Sequence, residues 1–224
     1  GELPEYPSSA EYCIRGILYA EVGALVEEKR PGEYFPVFEE NGETFILNSR
    51  DMCMIDHIPE LIAAGVDSLK IEGRAKSAYY AAMTTAAYRH AVDAAAENRP
   101  LDPVWRAEVD KVSHRHYSTG FWFGPPGQYT DSARYVRDWQ VLAVVRSCDA
   151  LGNAVLSLRN KFSAGDEIEV VGPGVAAFAM TAPMMEDMDG FQLAQPRHPQ
   201  MEFRMKLPRQ VPPLSMIRAC RPSS

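Results

Sequence analysis

"SLKIEGRAKSAYYAAMTTAAYRHAVDAA", residues 68–95, begins with strand character and turns at once into helix. Lys70 and Glu72 share one face of the run if it is extended, with Leu69 and Ile71 on the other. Arg74 and Lys76 follow at the turn. From Ser77 to Ala96, Tyr80, Met83, Thr84, Ala87, Tyr88 and Ala91 recur at helical spacing, and the alanine content favours a long helix packed closely on one side. Charge crowded where a buried strand ends has two readings. A carboxylate neutralised by cations can simply finish the strand. Alternatively, Lys70, Glu72 and Arg74 bind an anion or set the proton affinity of Glu72 for catalysis.

Outward from this hinge, "VDSLKIEG" (66–73) reads as a short strand. "SRDMCMIDHIPELIAAG" (49–65) reads as a helix capped by Asp51 or Asp56, with Pro59 in its first turn and Gly65 at its end. "EYFPVFEENGETFILNS" (33–49) carries two β-rich runs around Asn41-Gly42, the dipeptide that a tight hairpin turn prefers. "NRPLDP" stops the long helix, and Asp102 with Pro103 starts another. The order strand, helix, strand, helix, helix predicts an α/β unit with a parallel pairing.

"RHYSTGFWFGPPGQYTDSARY" (115–135) is too rich in Gly, Pro and Ser for a regular element. It reads as a packed loop over the preceding core, although its aromatic stretch 117–123 can also stack on a base or sugar. After Trp139 the texture changes. "QVLAVVRS", "NAVLSLRN", "DEIEVVG", "MEFRMKL" and "SMIRAC" are short strands between turn residues, which predicts a small antiparallel β-barrel. The boundary falls at 136/137, giving domains 1–136 and 137–224.

Composition narrows the function classes. The 224 residues are 46% hydrophobic and 24% charged, ordinary for a globular protein. No apolar run approaches the roughly 20 residues of a membrane span, and the first residues show no signal peptide, so a cytoplasmic protein with no membrane partner is expected. The net charge of −7 is uneven. Residues 1–136 hold 13 Lys and Arg against 21 Asp and Glu, whereas residues 137–224 hold 10 against 9. The acidic part is a poor electrostatic partner for phosphate backbones.

Cys13, Cys53, Cys148 and Cys220 lie too far apart for a CxxC metal motif. Cys53, near a predicted helix start, is either a small buried hydrophobe or a thiolate available for nucleophilic or metal chemistry. His114 and His116 alone make no metal site. HExxH, GxSxG, GxGxxG and P-loop patterns are absent.

The run "FILNSRDMCMIDHIPELIAAGVDSLKIEGRAKSAYYAAMTTAAYRHAVDA" resembles the collagenase-like peptidase family U32. "VSHRHYSTGFWFG", "LSLRNKFSAGDEIEVVGPG" and "PPLSMIRA" resemble the segments that follow it in that family. The resemblance covers roughly residues 25–220 and implies the carboxyl-terminal half of a longer protein. It implies the remnant of a TIM-like β/α barrel followed by a small antiparallel β-barrel domain. It also implies a peptidase as the first reading, an iron–sulfur-dependent tRNA or rRNA hydroxylation protein as the second, and a non-catalytic binding or oligomerising module as the third.

Strand carboxyl ends carry the chemistry of such barrels, which favours Lys70, Glu72 and Arg74 as site residues. Some relatives hold a four-iron four-sulfur cluster on four cysteines. Cys53 matches the last of these, and Cys13 alone precedes it where relatives show a CxxxC pair. No cofactor is therefore expected in this chain, and a cluster is left to a full-length parent, which would also supply the protein, peptide or RNA substrate.

Overall fold

In the computed structural model, residues 50–126 and 135–221 are described in full, together with the backbone of four earlier strands. Those strands, β1 (Ile17–Ala20), β2 (Ala24–Glu27), β3 (Tyr34–Glu40) and β4 (Glu43–Ile46), form an antiparallel sheet in sequential order. Glu40 pairs with Glu43, so β3 and β4 form the hairpin that Asn41-Gly42 predicts. The two turn residues themselves lie outside the described residues, as does Cys13.

The described residues fall into two compact units, one drawn from 1–53 and 115–135, the other from 54–114 and 136–224. In the first unit, β5 (Asp51–Met52) runs parallel to β6 (Tyr117–Ser118), with Asp51 opposite Tyr117. The Asp51 carboxylate accepts from the Arg115 backbone N–H at 3.0 Å and so fastens this ladder instead of capping a helix.

In the second unit, α1 (Ile58–Ala63) follows a single 3-10 turn, with Pro59 in its first turn and no side-chain cap. Asp56, the other predicted cap, pairs with Arg106 at 2.8 Å. Gly65, at φ +82°, closes α1 as expected. The long helix α2 (Ala78–Ala96) starts at Ser77, whose hydroxyl accepts from the Tyr80 N–H at 3.2 Å. Its buried face is Tyr79, Met83, Thr84, Ala87, Ala91 and Ala94, and the three small alanines let neighbouring chain approach closely. Asn98, at φ +53°, turns the chain out, and Arg99 N–H returns to the Ala94 carbonyl at 2.9 Å. Asp102 caps α3 (Pro103–Glu108) by accepting from Val104 N–H at 2.9 Å.

The strand expected at 66–73 is not formed. The segment is irregular and largely exposed, because no neighbouring strand pairs with it among the described residues. The parallel pairing of this half is the two-residue β5–β6 ladder instead.

Residues 139–220 form one antiparallel sheet, from β7 (Trp139–Cys148), β8 (Asn153–Leu158), β9 (Glu167–Gly172), β10 (Val175–Thr181), β11 (Met185–Glu186), β12 (Gln192–Leu193), β13 (Glu202–Lys206) and β14 (Met216–Cys220). The order is β10-β9-β14-β7-β8-β13-β11-β12. Period-two alternation sends Phe203 and Met205 inward from β13 while Glu202, Arg204 and Lys206 face out. Inward residues from across the sheet, among them Leu142, Leu156, Val170, Met185, Phe203 and Ile217, share one core with Phe162. The sheet thus rolls around its core, but its ladder ends at β10 and β12 and does not close into the expected barrel. Antiparallel sheet with few helices is the dominant architecture of the described residues.

Candidate functional site

Lys70 and Glu72, placed by sequence at a strand end, lie in the exposed irregular segment, and Arg74 lies in the turn after it. The Glu72 carboxylate accepts from the Arg74 N–H at 3.1 Å and sits 3.5 Å from Arg74 Nε, with the two side chains 63% and 91% exposed. Lys76 turns away and donates to the Ser113 carbonyl at 3.1 Å. An ion pair this exposed is screened by water and positions little.

Cys53 lies at the end of the β5–β6 ladder, two residues before the 3-10 turn Ile55–His57 that leads into α1, and so near a helix start as expected. It is half-buried, outside any disulfide, and its backbone N–H donates to the Ser118 carbonyl at 2.9 Å. Cys148 and Cys220 belong to the rolled sheet, in the other unit. An iron–sulfur cluster needs about four converging ligands. Among the described residues, no group of three or more His, Cys, Asp or Glu side chains is arranged to hold a metal ion. Cys53 contributes one half-buried thiol to this part of the chain.

The strongest electrostatic feature was not anticipated. Arg218 on β14 is fully buried, and its guanidinium meets three partners. Nε and Nη2 donate to Glu169 at 3.0 and 2.7 Å, Nη2 also to Glu108 at 2.7 Å, and Nη1 to Tyr79 Oη at 2.9 Å and to Glu108. Lys111 donates to Glu169 at 2.9 Å, and the Trp139 ring lies beneath both Arg218 and Lys111. Burial pushes the Tyr79 hydroxyl up to about 12 despite the Arg218 charge. Burial also opposes ionisation of Glu169, but hydrogen bonds from Lys111 and Arg218 outweigh it and hold that carboxyl below its usual range. The Arg218 donors are spent on protein partners, so the cluster fastens α2 and α3 to the rolled sheet and leaves no charge to meet a ligand. Its one sequence signal is an arginine inside the apolar run "SMIRAC".

A second feature lies beside Cys53. The β5–β6 ladder places Met52 and Ser118 on the wall of a cleft of about 720 Å³, whose other lining includes Arg50, Phe121, Trp122 and Pro126. The aromatic loop does not cover a core as expected: Phe121 and Trp122 are 81% and 40% exposed. A cation, a hydroxyl and flat apolar surfaces around one opening are the ingredients of a ligand site.

The profile of peptidase family U32 matches residues 11–132, and that of the family's C-terminal domain matches residues 137–218. The chain belongs to peptidase family U32. Its relatives include tRNA hydroxylation protein P1 of Bacillus subtilis, 33% identical over 81% of this chain and 45% of that protein. Another is tRNA hydroxylation protein P of Escherichia coli, 38% identical over 66% of this chain and 34% of that protein. An uncharacterised protease of Methanocaldococcus jannaschii is 34% identical over 66% of this chain and 38% of that protein. This U32 chain thus spans less than half the length of the curated relatives it matches. The crystallised C-terminal domain of a Geobacillus thermoleovorans protein assigned to the U32 peptidases is 32% identical over 36% of this chain and 99% of that domain, with a TM-score of 0.34. No helix among the described residues is long and apolar enough to cross a membrane.

Proposed function

We propose that this chain is the carboxyl-terminal part of a U32 protein that supports tRNA hydroxylation in the cytoplasm. The observation that carries the reading is 33% identity with the Bacillus subtilis tRNA hydroxylation protein over 81% of the chain, a span too long to lie within either family match alone. Cys53, the one cysteine that matches the family's cluster position, would contribute a single thiolate, and the remaining ligands would come from elsewhere in the parent.

In that parent, segment 66–73 becomes a strand of a TIM-like barrel. Its backbone has no strand neighbour among the described residues. It also lines a mixed polar and apolar groove of about 420 Å³ with Leu61, Tyr88 and Val92, whose apolar part is the kind of surface a barrel strand covers. Lys70, Glu72 and Arg74 would then stand at that strand's carboxyl end as an anion-orienting group.

Peptidase activity is the second reading, favoured by the Methanocaldococcus relative. Iron and acid-labile sulfide assays on the anaerobically purified full-length parent separate the two. The hydroxylation reading expects about four iron and four sulfide per chain, falling sharply in Cys53→Ser. A metal-free parent that cleaves gelatin would replace it with the peptidase reading.

A further inference from the structure

Beside Cys53 the cleft combines features that a purely structural loop does not need. Phe121 and Trp122 are exposed, Met52 on the same opening is 62% exposed, and Arg50 brings a cation to it. Ser118 Oγ accepts from the Gly120 N–H at 3.3 Å, and its own hydrogen has no acceptor among the described residues. We propose that this cleft binds one unpaired nucleotide of single-stranded RNA. The base stacks on Trp122 or Phe121, the Ser118 hydroxyl donates to a base carbonyl, and Arg50 meets the flanking phosphate.

The proposal rests on the tRNA hydroxylation reading and names where that substrate touches this chain. Three points favour a nucleotide over a peptide. The opening is large enough for a base with its sugar. Its polar groups match a base edge and a phosphate, one hydroxyl and one guanidinium. Its wall includes Met52, which precedes Cys53, and Ser118, whose carbonyl accepts from the Cys53 N–H, so the opening lies on the ladder next to the cysteine that matches the family's cluster position. The acidic balance of residues 1–136 fits this mode as well. Phosphate contacts must be few, and stacking, which is indifferent to net charge, supplies the affinity.

Tryptophan fluorescence of the 224-residue chain reads the interaction directly. Trp105 stacks on His90 and Trp139 lies under Lys111 and Arg218, so Trp122 is the ring placed to report. Single-stranded oligouridylate should quench the emission, and a fully paired RNA duplex should not. Trp122→Phe should lose the quench while still binding in a filter assay. Phe121→Ala with Trp122→Ala should weaken binding at least about tenfold with an unchanged melting temperature, since both rings are exposed. Arg50→Gln should lower the shallow salt slope by about one.

Equal RNA affinity in the Phe121→Ala/Trp122→Ala variant overturns the cleft while leaving the tRNA reading intact. Quenching by a gelatin peptide and not by RNA overturns both. Absence of binding to either RNA also overturns the cleft, and tRNA analysis in cells then decides the broader reading independently.

Discussion

Arg218 shows how much one residue can organise. A guanidinium with no exposed surface tolerates no missing partner, because breaking a buried pair strands the opposite charge in a medium that solvates it poorly. Arg218→Met leaves Glu108, itself 1% exposed, without its main counter-charge, and should cost about 3–5 kcal/mol in urea denaturation. Adding Glu108→Gln should recover part of that loss, since the uncompensated carboxylate is removed. A double variant as unstable as the single one would contradict this account of the cluster.

Tyr79 gives the same cluster a pH signature. Its folded-state pKa is raised from 10.0 to about 12. The folded chain therefore holds this proton more tightly than the unfolded one. The stability this contributes is complete below pH 10 and is lost as pH rises towards 12, by about 2–3 kcal/mol. Tyr79→Phe should have lower stability at neutral pH, and the gap between the two proteins should close between pH 10 and 12. An unchanged gap would show that Tyr79 does not titrate as its burial implies.

Among the elements, those whose rules are local were legible from sequence. Ser77 and Asp102 cap their helices, Gly65 ends α1, and the strand pairs follow the turn residues predicted for them. Asp149, for example, accepts from Leu151 and Asn153 backbone N–H groups and shapes the β7–β8 turn. Where local and long-range terms compete, sequence reading failed. Asp51 and Asp56 have good capping chemistry, yet Arg115 and Arg106 claim them across 64 and 50 residues. Segment 66–73 has strand composition, but a strand needs a neighbour, and composition does not say whether one is present. The aromatic stretch 117–123 was legible as a possible stacking surface, but the cleft was not, because its other wall comes from residues 50–52, which meet that stretch only through the β5–β6 register.

Two element-level outcomes follow. At Gly152, φ is +86° and an added Cβ would lie 2.3 Å from the Leu207 carbonyl oxygen, so the β7–β8 turn cannot accept a side chain without moving backbone. Gly152→Ala should cost about 2–4 kcal/mol, visible as a fall in urea midpoint at constant m-value. Glu72→Gln touches only an exposed pair and should shift this chain's stability by less than about 0.5 kcal/mol. A larger loss would mean that the hinge charges hold structure that their exposure does not reveal.

At the scale of the whole molecule, the helices of residues 54–114 pack with the rolled sheet of 136–224 through the Arg218 cluster. The family match for the C-terminal domain begins at 137, and in this chain its sheet packs against helices that lie within the preceding match. The cleft belongs to the other unit, where the ladder that carries Cys53 also carries Ser118 and Met52. The proposed nucleotide cleft thus belongs to one unit, and the Arg218 cluster, with the hinge charges Lys70, Glu72 and Arg74, to the other. The reading as part of a tRNA hydroxylation protein joins these observations to the relatives.

Nucleoside mass spectrometry tests that claim most directly. The full-length parent is expressed in a strain lacking its own tRNA hydroxylation protein, and digested tRNA is compared with that of the uncomplemented strain. The account predicts that a nucleoside heavier by one oxygen atom reappears, and that it falls in Cys53→Ser. Unchanged tRNA from cells that contain abundant, folded parent would contradict it.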